Sequence, residues 1–186
     1  GDQHTAGQHT AGQPAGGPAA GADRPFLFSR SEFFHRPLTR DAITRLLAVF
    51  TGEREPGVSY ELDFMPWAGA YGRTSPDATA FVHREGLFLL KHSAVVSLPV
   101  TAGARNAAHR WVTRCWAATR SGGSGLVFPN FADPDLDSPA DRYYGSNLSR
   151  LALIKQRYDP GDRFRHSQSI PLPARQAGPH DTDEEV

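Results

Sequence analysis

The sequence predicts an α+β domain: an antiparallel β-sheet covered on one face by helices. Three observations carry that prediction. Tyr60, Leu62 and Phe64 alternate with Ser59, Glu61 and Asp63, the period-two pattern of a half-buried strand. Ile43, Leu46, Leu47 and Phe50 recur at helical spacing and give one apolar face. The signals then follow in the order strand, helix, three strands, helix, strand, two helices, an order that segregates the helices to one side of a sheet.

Taken in order, Phe26-Leu27-Phe28 reads as a short strand after Pro25. Pro37-Leu38-Thr39 opens the first helix, with Thr39 as its N-cap, and Gly52 ends it. After the strand at Tyr60, two further strands are expected over residues 78–83 and 87–96, separated by a tight turn at Arg84-Glu85-Gly86. A helix over about 104–119 places Ala108, Trp111, Val112 and Cys115 on one side. Gly122, Gly123 and Gly125 break it and lead into a strand at Leu126-Val127-Phe128. Ser138-Pro139-Ala140-Asp141 is a helix start, with a Ser cap, Pro at the first position and a carboxylate beyond. Tyr143 to Asn147 interrupts that helix. Leu148, Leu151 and Ile154 then carry a second helix to Tyr158, where Asp159-Pro160-Gly161 ends it.

Composition narrows the function classes. The 20 Lys+Arg balance 20 Asp+Glu, which argues against binding a nucleic-acid backbone. A single cysteine, Cys115, rules out an intrachain disulfide and a Cys-only metal site. No apolar run reaches the ~18 residues of a membrane helix. No signal peptide is visible, so a cytoplasmic location is expected. The only methionine is Met65, and the chain is expected to be processed, tagged or cut from something longer. Residues 1–24 form a degenerate repeat of Gln-His-Thr-Ala-Gly type, read as a disordered tail. Residues 174–186 read as a disordered acidic tail. Few Lys among the basic residues, with abundant Ala, Gly and Pro, points to a bacterial source of high GC content.

Self-contained chemistry is sparse. Cys115 falls on the apolar side of a helix, as an inert core thiol does. His35, His83, His92, His109 and His166 lack the paired spacing of a zinc site. Asp133, Asp135 and Asp137 alternate, but Pro134 intrudes, and the glycine and terminal glutamate of a calcium loop are missing. No metal site is expected. Arg120-Ser121-Gly122-Gly123-Ser124-Gly125 offers backbone N–H groups, yet it follows a helix and precedes a strand, the reverse of a phosphate-binding context. It reads as a connecting loop.

One long pattern rises above this background. Tyr143-Tyr144-Gly145-Ser146-Asn147-Leu148-Ser149-Arg150-Leu151, then Lys155, Tyr158-Asp159-Pro160, and Phe164 through Pro171, resembles the C-terminal signature of the berberine bridge enzyme family, FAD-linked oxidases of the vanillyl-alcohol-oxidase type. Pro66 to Ala70 and Ala78 to Arg84 resemble paired substrate-domain strands of that family. Phe128-Pro129-Asn130-Phe131-Ala132-Asp133 resembles its Tyr-x-Asn-Tyr-x-Asp strand end.

The resemblance implies a partial substrate-binding domain over residues 25–137 and a C-terminal segment over 138–173 that packs against an FAD-binding domain. FAD is then the expected cofactor, held by a partner domain or chain. Asn130, Tyr144 and Asn147 are expected on the flavin side. Tyr60, Trp67, Tyr71, Arg73, His92, Phe128 and Phe131 are expected to face a small-molecule substrate. Substrate oxidation needs a base that takes a proton as hydride leaves. The position that holds the catalytic Tyr in many members is Phe131 here, and Arg73 stands at the matching Glu of plant members. Tyr60, Tyr71 and His92 are substitutes of a type more often structural on a sheet. The leading expectation is the C-terminal part or subunit of an FAD-dependent oxidoreductase, of secondary metabolism. The alternatives are a flavin-less pocket protein or cyclase and an inactive remnant.

Overall fold

The computed structural model describes residues 24–173. The two tails read from the sequence lie outside the described residues, apart from Arg24. Three nine-residue strands, β1 (Phe26–Phe34), β2 (Val58–Pro66) and β3 (Phe88–Val96), form one antiparallel sheet in the order β1-β3-β2. The helices are α1 (Arg40–Phe50), α2 (Ala102–Thr119), α3 (Pro139–Tyr144) and α4 (Leu148–Tyr158). This is the expected α+β arrangement. No helix among the described residues is long and apolar enough to cross a membrane.

Register assigns the two faces. Phe28 pairs with Ala94 and Tyr60 with Ala94. Arg30 and Leu62 flank His92 in the same way, and Glu32 and Phe64 flank Leu90. These even-numbered rows face α2, because successive side chains alternate between faces. Phe28, Phe34, Leu90, Ala94 and Val96 pack there with Leu46 of α1 and Ala108, Trp111, Val112 and Cys115 of α2. Each large apolar side chain so buried contributes about 2 kcal/mol. Helices α1 and α2 each start at a threonine: Thr39 accepts from the Ala42 N–H, and Thr101 from the Ala104 N–H.

The odd-numbered rows form the opposite face. Ser29 and Glu61 flank Ser93, Ser31 and Asp63 flank Lys91, and Phe33 and Met65 flank Leu89. Helices α1 and α2 do not reach this face.

Four expectations need correction. β1 is nine residues long rather than three, because the polar run Ser29-Arg30-Ser31-Glu32 pairs with β3 and finds partners far along the chain. Residues 78–83 are not a strand: the carbonyls of Pro76 and Thr79 accept from the Asn147 side chain instead of from a neighbouring strand. Residues 126–128 are not a strand either, although the neighbouring backbone runs along β1, with Phe33 N–H donating to Leu126 and Ser124 N–H donating to Phe33. Ser138 does not cap α3 through its side chain, since it sits at φ 51°, in the left-handed region.

Candidate functional site

The face left open by the helices carries a block of aromatic rings at one end. Phe33, at the end of β1, is wholly buried. His83 stacks on it at 4.4 Å, and Trp67 and Phe128 meet it edge-on at 5.3 and 6.2 Å. Tyr71 and Phe81 extend the block, with Tyr71 5.1 Å from Trp67. The chain passes close to this block at Gly86, where a Cβ would come 3.1 Å from the Phe33 ring and press on it. The sequence thus builds a rigid apolar wall from four separate segments.

Beside the wall lies a polar strip. Lys91 Nζ is 3.7 Å from Asp63 and 4.0 Å from Glu61, and its side chain is only 18% exposed. Ser93 Oγ donates to Glu61 at 3.1 Å. Phe131 closes over this strip, its ring centroid 4.9 Å from Lys91 Nζ, and touches Phe128 at 5.2 Å. The arrangement suits a flat, apolar molecule with a polar edge: rings on one side, one ammonium flanked by carboxylates on the other.

The C-terminal segment locks this layer. His83 Nε2 donates to the Tyr143 carbonyl at 2.9 Å, and burial pushes its pKa down to about 4, so the ring is neutral at pH 7. Tyr143 Oη accepts from the Asp133 N–H and donates to Gln168, whose amide returns to the Asp133 carbonyl. Asp133 in turn pairs with Arg30 at 3.0 Å. At the end of α4, Lys155 Nζ binds Asp159 and Asp162, each at 2.8 Å, and the Phe164 carbonyl at 2.9 Å.

The residues singled out from the sequence divide into three groups. Trp67, Tyr71, Phe128 and Phe131 come together in the wall. Burial raises the Tyr71 phenol, so it stays protonated. Arg73 lies exposed at the end of a short 3-10 helix, Ala70–Arg73, apart from the wall. Tyr60 and His92 belong to the other face and are corrected accordingly. Tyr60 packs on Trp111 at 4.7 Å. His92 is fully buried under α2, 3.5 Å from Thr119 Oγ1, with its pKa pushed to about 4 by desolvation. Neither shares a surface with Phe131, because residues of opposite parity point to opposite faces.

Of the residues expected on the flavin side, Asn130 is exposed and Tyr144 half-buried. Tyr144 lines a cleft of about 330 Å3 with Pro129, Ala132 and His166, next to Asn130. Asn147 is different. Its amide nitrogen donates to the carbonyls of Pro76 at 2.8 Å and Thr79 at 3.1 Å, which ties α4 to the loop bearing Phe81 and His83. Asn130 is therefore available to a group bound against this layer, whereas the Asn147 amide nitrogen is already engaged within the chain.

Sequence reasoning missed Lys91, Glu61, Asp63, Phe33, Phe81 and His83 as parts of the site. The polar half of the period-two pattern was the available signal, since the residues that break the apolar alternation define the uncovered face.

Comparison with known proteins agrees with the layout. The family model described as "Berberine and berberine like" matches residues 127–171, the stretch that runs from Phe128 through the lock to Ile170. The FAD-linked oxidoreductase YgaK of Bacillus subtilis is 29% identical over 152 residues, covering 81% of this chain and 32% of that protein. YvdP of the same organism is 32% identical over 119 residues, covering 64% of this chain and 26% of its own length. The solved structure of BBE-like 1 from Physcomitrella patens superposes with a TM-score of 0.64 at 28% identity, over 80% of this chain and 31% of that one. The chain spans about a third or less of the length of these relatives. Through that part of its length, the chain is similar to berberine bridge enzyme-like FAD-linked oxidoreductases.

Proposed function

We propose that this chain forms the substrate-side wall of an FAD-dependent oxidoreductase acting on a small molecule of bacterial secondary metabolism. The FAD is held by a flavin-binding domain outside residues 24–173, on the same polypeptide or on a partner. One observation carries the reading. The segment matched by the family model is the same segment that lays Phe128, Phe131, Tyr143 and Asn147 over the open sheet face.

When bound, the flavin accepts hydride from the substrate. The chain's own residues orient that substrate and exclude water from it. Trp67, Phe128 and Phe131 hold a flat apolar body, and the Lys91 ammonium faces any negative charge that develops at its polar edge. Asn130 and Tyr144 meet the isoalloxazine side. Asn147 positions the loop rather than the cofactor. Position 131 has no ionisable atom, so the proton leaves by another group.

A base-free second reading is favoured by that same Phe131: a pocket protein that folds a reactive substrate into shape without redox chemistry. Purification from the native host, through an affinity tag at the C terminus of the chain, separates the two. The oxidoreductase reading expects the two-band visible absorbance of oxidised flavin in the pure material. A colourless preparation that still converts its substrate overturns it.

A further inference from the structure

Four segments of the described fold enclose a polar cavity of about 150 Å3: β1, the C-terminal end of α2, the loop after Val127, and α3. It lies on the side of β1 that faces α2, away from the aromatic wall. A space of that size takes one small molecule of roughly benzene dimensions. Two buried polar atoms on its lining have no hydrogen-bond partner among the described residues. Glu32 is 4% exposed; its Oε1 accepts from the Gly125 N–H at 2.9 Å, and its Oε2 accepts nothing. Arg30 Nε lies 3.0 Å from Asp133 but off the line of a hydrogen bond. Two more guanidiniums border the same space, and neither meets a carboxylate among the described residues. Arg120 rests on the Trp116 ring at 4.4 Å, and Arg142 donates to the carbonyls of Asp137 and Gly125. The remaining carboxylates are engaged or outside: Asp133 pairs with Arg30, Asp135 with Arg30 and His109, and Asp137 is exposed. A buried acceptor beside three cations, with nothing joining them, is a costly arrangement.

We propose that this cavity binds inorganic phosphate as hydrogen phosphate, whose O–H donates to Glu32 Oε2 while its other oxygens accept from Arg30, Arg120 and Arg142. The mixture of groups selects this ion. An oxyanion without a proton, such as sulfate, sets an oxygen lone pair against Glu32 Oε2. A cation meets three guanidiniums. Hydrogen phosphate carries one donor and several acceptors in one small body, and the guanidinium fork matches its geometry. Burial raises the Glu32 pKa, opposed by the Gly125 N–H, Trp116, Arg120 and Arg142. A proton shared between the carboxyl and the phosphate relieves the cost of that buried charge. The Gly125 N–H is already taken by Glu32, so side chains hold the ion rather than the glycine-rich loop. This inference stands apart from the flavin reading.

The test is calorimetric titration of the purified 186-residue chain at pH 7.5, with inorganic phosphate, sulfate and methyl phosphate compared at fixed ionic strength in chloride. Phosphate is expected to bind one ion per chain, at least ~10-fold tighter than sulfate. Methyl phosphate has largely lost its P–OH at this pH and is expected to bind as weakly as sulfate, which also separates the free ion from a phosphate ester. Glu32→Gln puts a donor in place of the free acceptor and is expected to reverse the preference toward sulfate, a gain that misfolding cannot produce. Arg120→Gln, a change at an exposed side chain, is expected to weaken phosphate binding at least ~10-fold. The proposal is overturned by no saturable phosphate binding, by sulfate or methyl phosphate binding as tightly as phosphate, or by a Glu32→Gln chain that keeps the parent's preference.

Discussion

The ring of Phe131 covers the Lys91 ammonium at 4.9 Å, on the sheet face that α1 and α2 leave open. An aromatic face attracts a cation there through its quadrupole. A hydroxyl added to that ring meets a nearby positive charge, which favours the phenolate. Phe131→Tyr is therefore expected to fold normally and to introduce one phenol that ionises below the usual tyrosine range in an ultraviolet titration. Adding Lys91→Met should return that phenol upward. A new phenol that titrates at or above the ordinary value contradicts the placement.

Glu32 supplies the second prediction. Its Oε1 accepts from the Gly125 N–H at 2.9 Å, and a Cβ at Gly123 would lie 2.0 Å from the same oxygen. The glycine-rich loop thus closes on the protein's own Glu32 carboxyl, 4% exposed, whose pKa burial raises. Gly123→Ala must displace this buried carboxyl group and is expected to cost about 2–4 kcal/mol in urea unfolding. Gly122 has open space around it, so Gly122→Ala should stay within about 0.5 kcal/mol of the parent. Equal effects at both positions contradict the contact.

Asn147 separates a structural from a cofactor role. Its amide nitrogen donates to the carbonyls of Pro76 and Thr79 within the chain. Asn147→Ala is expected to destabilise the chain by about 0.5–1.5 kcal/mol, because the Pro76 and Thr79 carbonyls lose their donor. Asn147→Asp should cost more, since a carboxylate cannot donate to a carbonyl. Unchanged unfolding midpoints for both variants would assign Asn147 to the cofactor instead.

Acid should weaken the fold through two histidines. His83 and His92 are buried neutral, each with its pKa pushed from 6.5 to about 4. Between those values the unfolded chain binds more protons than the folded one, so stability falls as pH drops below about 6.5 and the loss levels off below about 4. Each ring accounts for up to about 3 kcal/mol at full effect. Thermal unfolding at pH 7 and pH 5 measures this, and His92→Leu should shrink the difference between the two midpoints. A midpoint that rises on acidification contradicts the burial of these rings.

Much of the fold was legible in the sequence, and its limits have physical causes. α1 and β2 were readable because burial on one side imposes a period that the sequence must carry. The end of α4 was readable because Asp159-Pro160-Gly161 cannot continue a helix. β1 was underestimated because its centre, Ser29 to Glu32, is buried but polar, with partners such as Asp133 and Gly125 about a hundred positions away. Residues 78–83 misled for the opposite reason. They look strand-like, yet their backbone bonds locally and to the side chain of Asn147, as where Ala78 N–H donates to Ser75 and the Thr79 carbonyl accepts from Asn147. The wall residues Trp67, Tyr71, Phe128 and Phe131 followed from the family resemblance. Tyr60 and His92 were misplaced because each was judged by residue type, while strand parity decides which face a side chain meets.

The open face is proposed as one side of a flavin site. Structure determination of the protein purified from its native host is the decisive test. An isoalloxazine ring is expected on the side of Asn130 and Tyr144, with a substrate-sized space between it and the layer of Trp67, Phe128, Phe131 and Lys91. Flavin bound elsewhere, or this face packed against protein with no space for a cofactor, would contradict it.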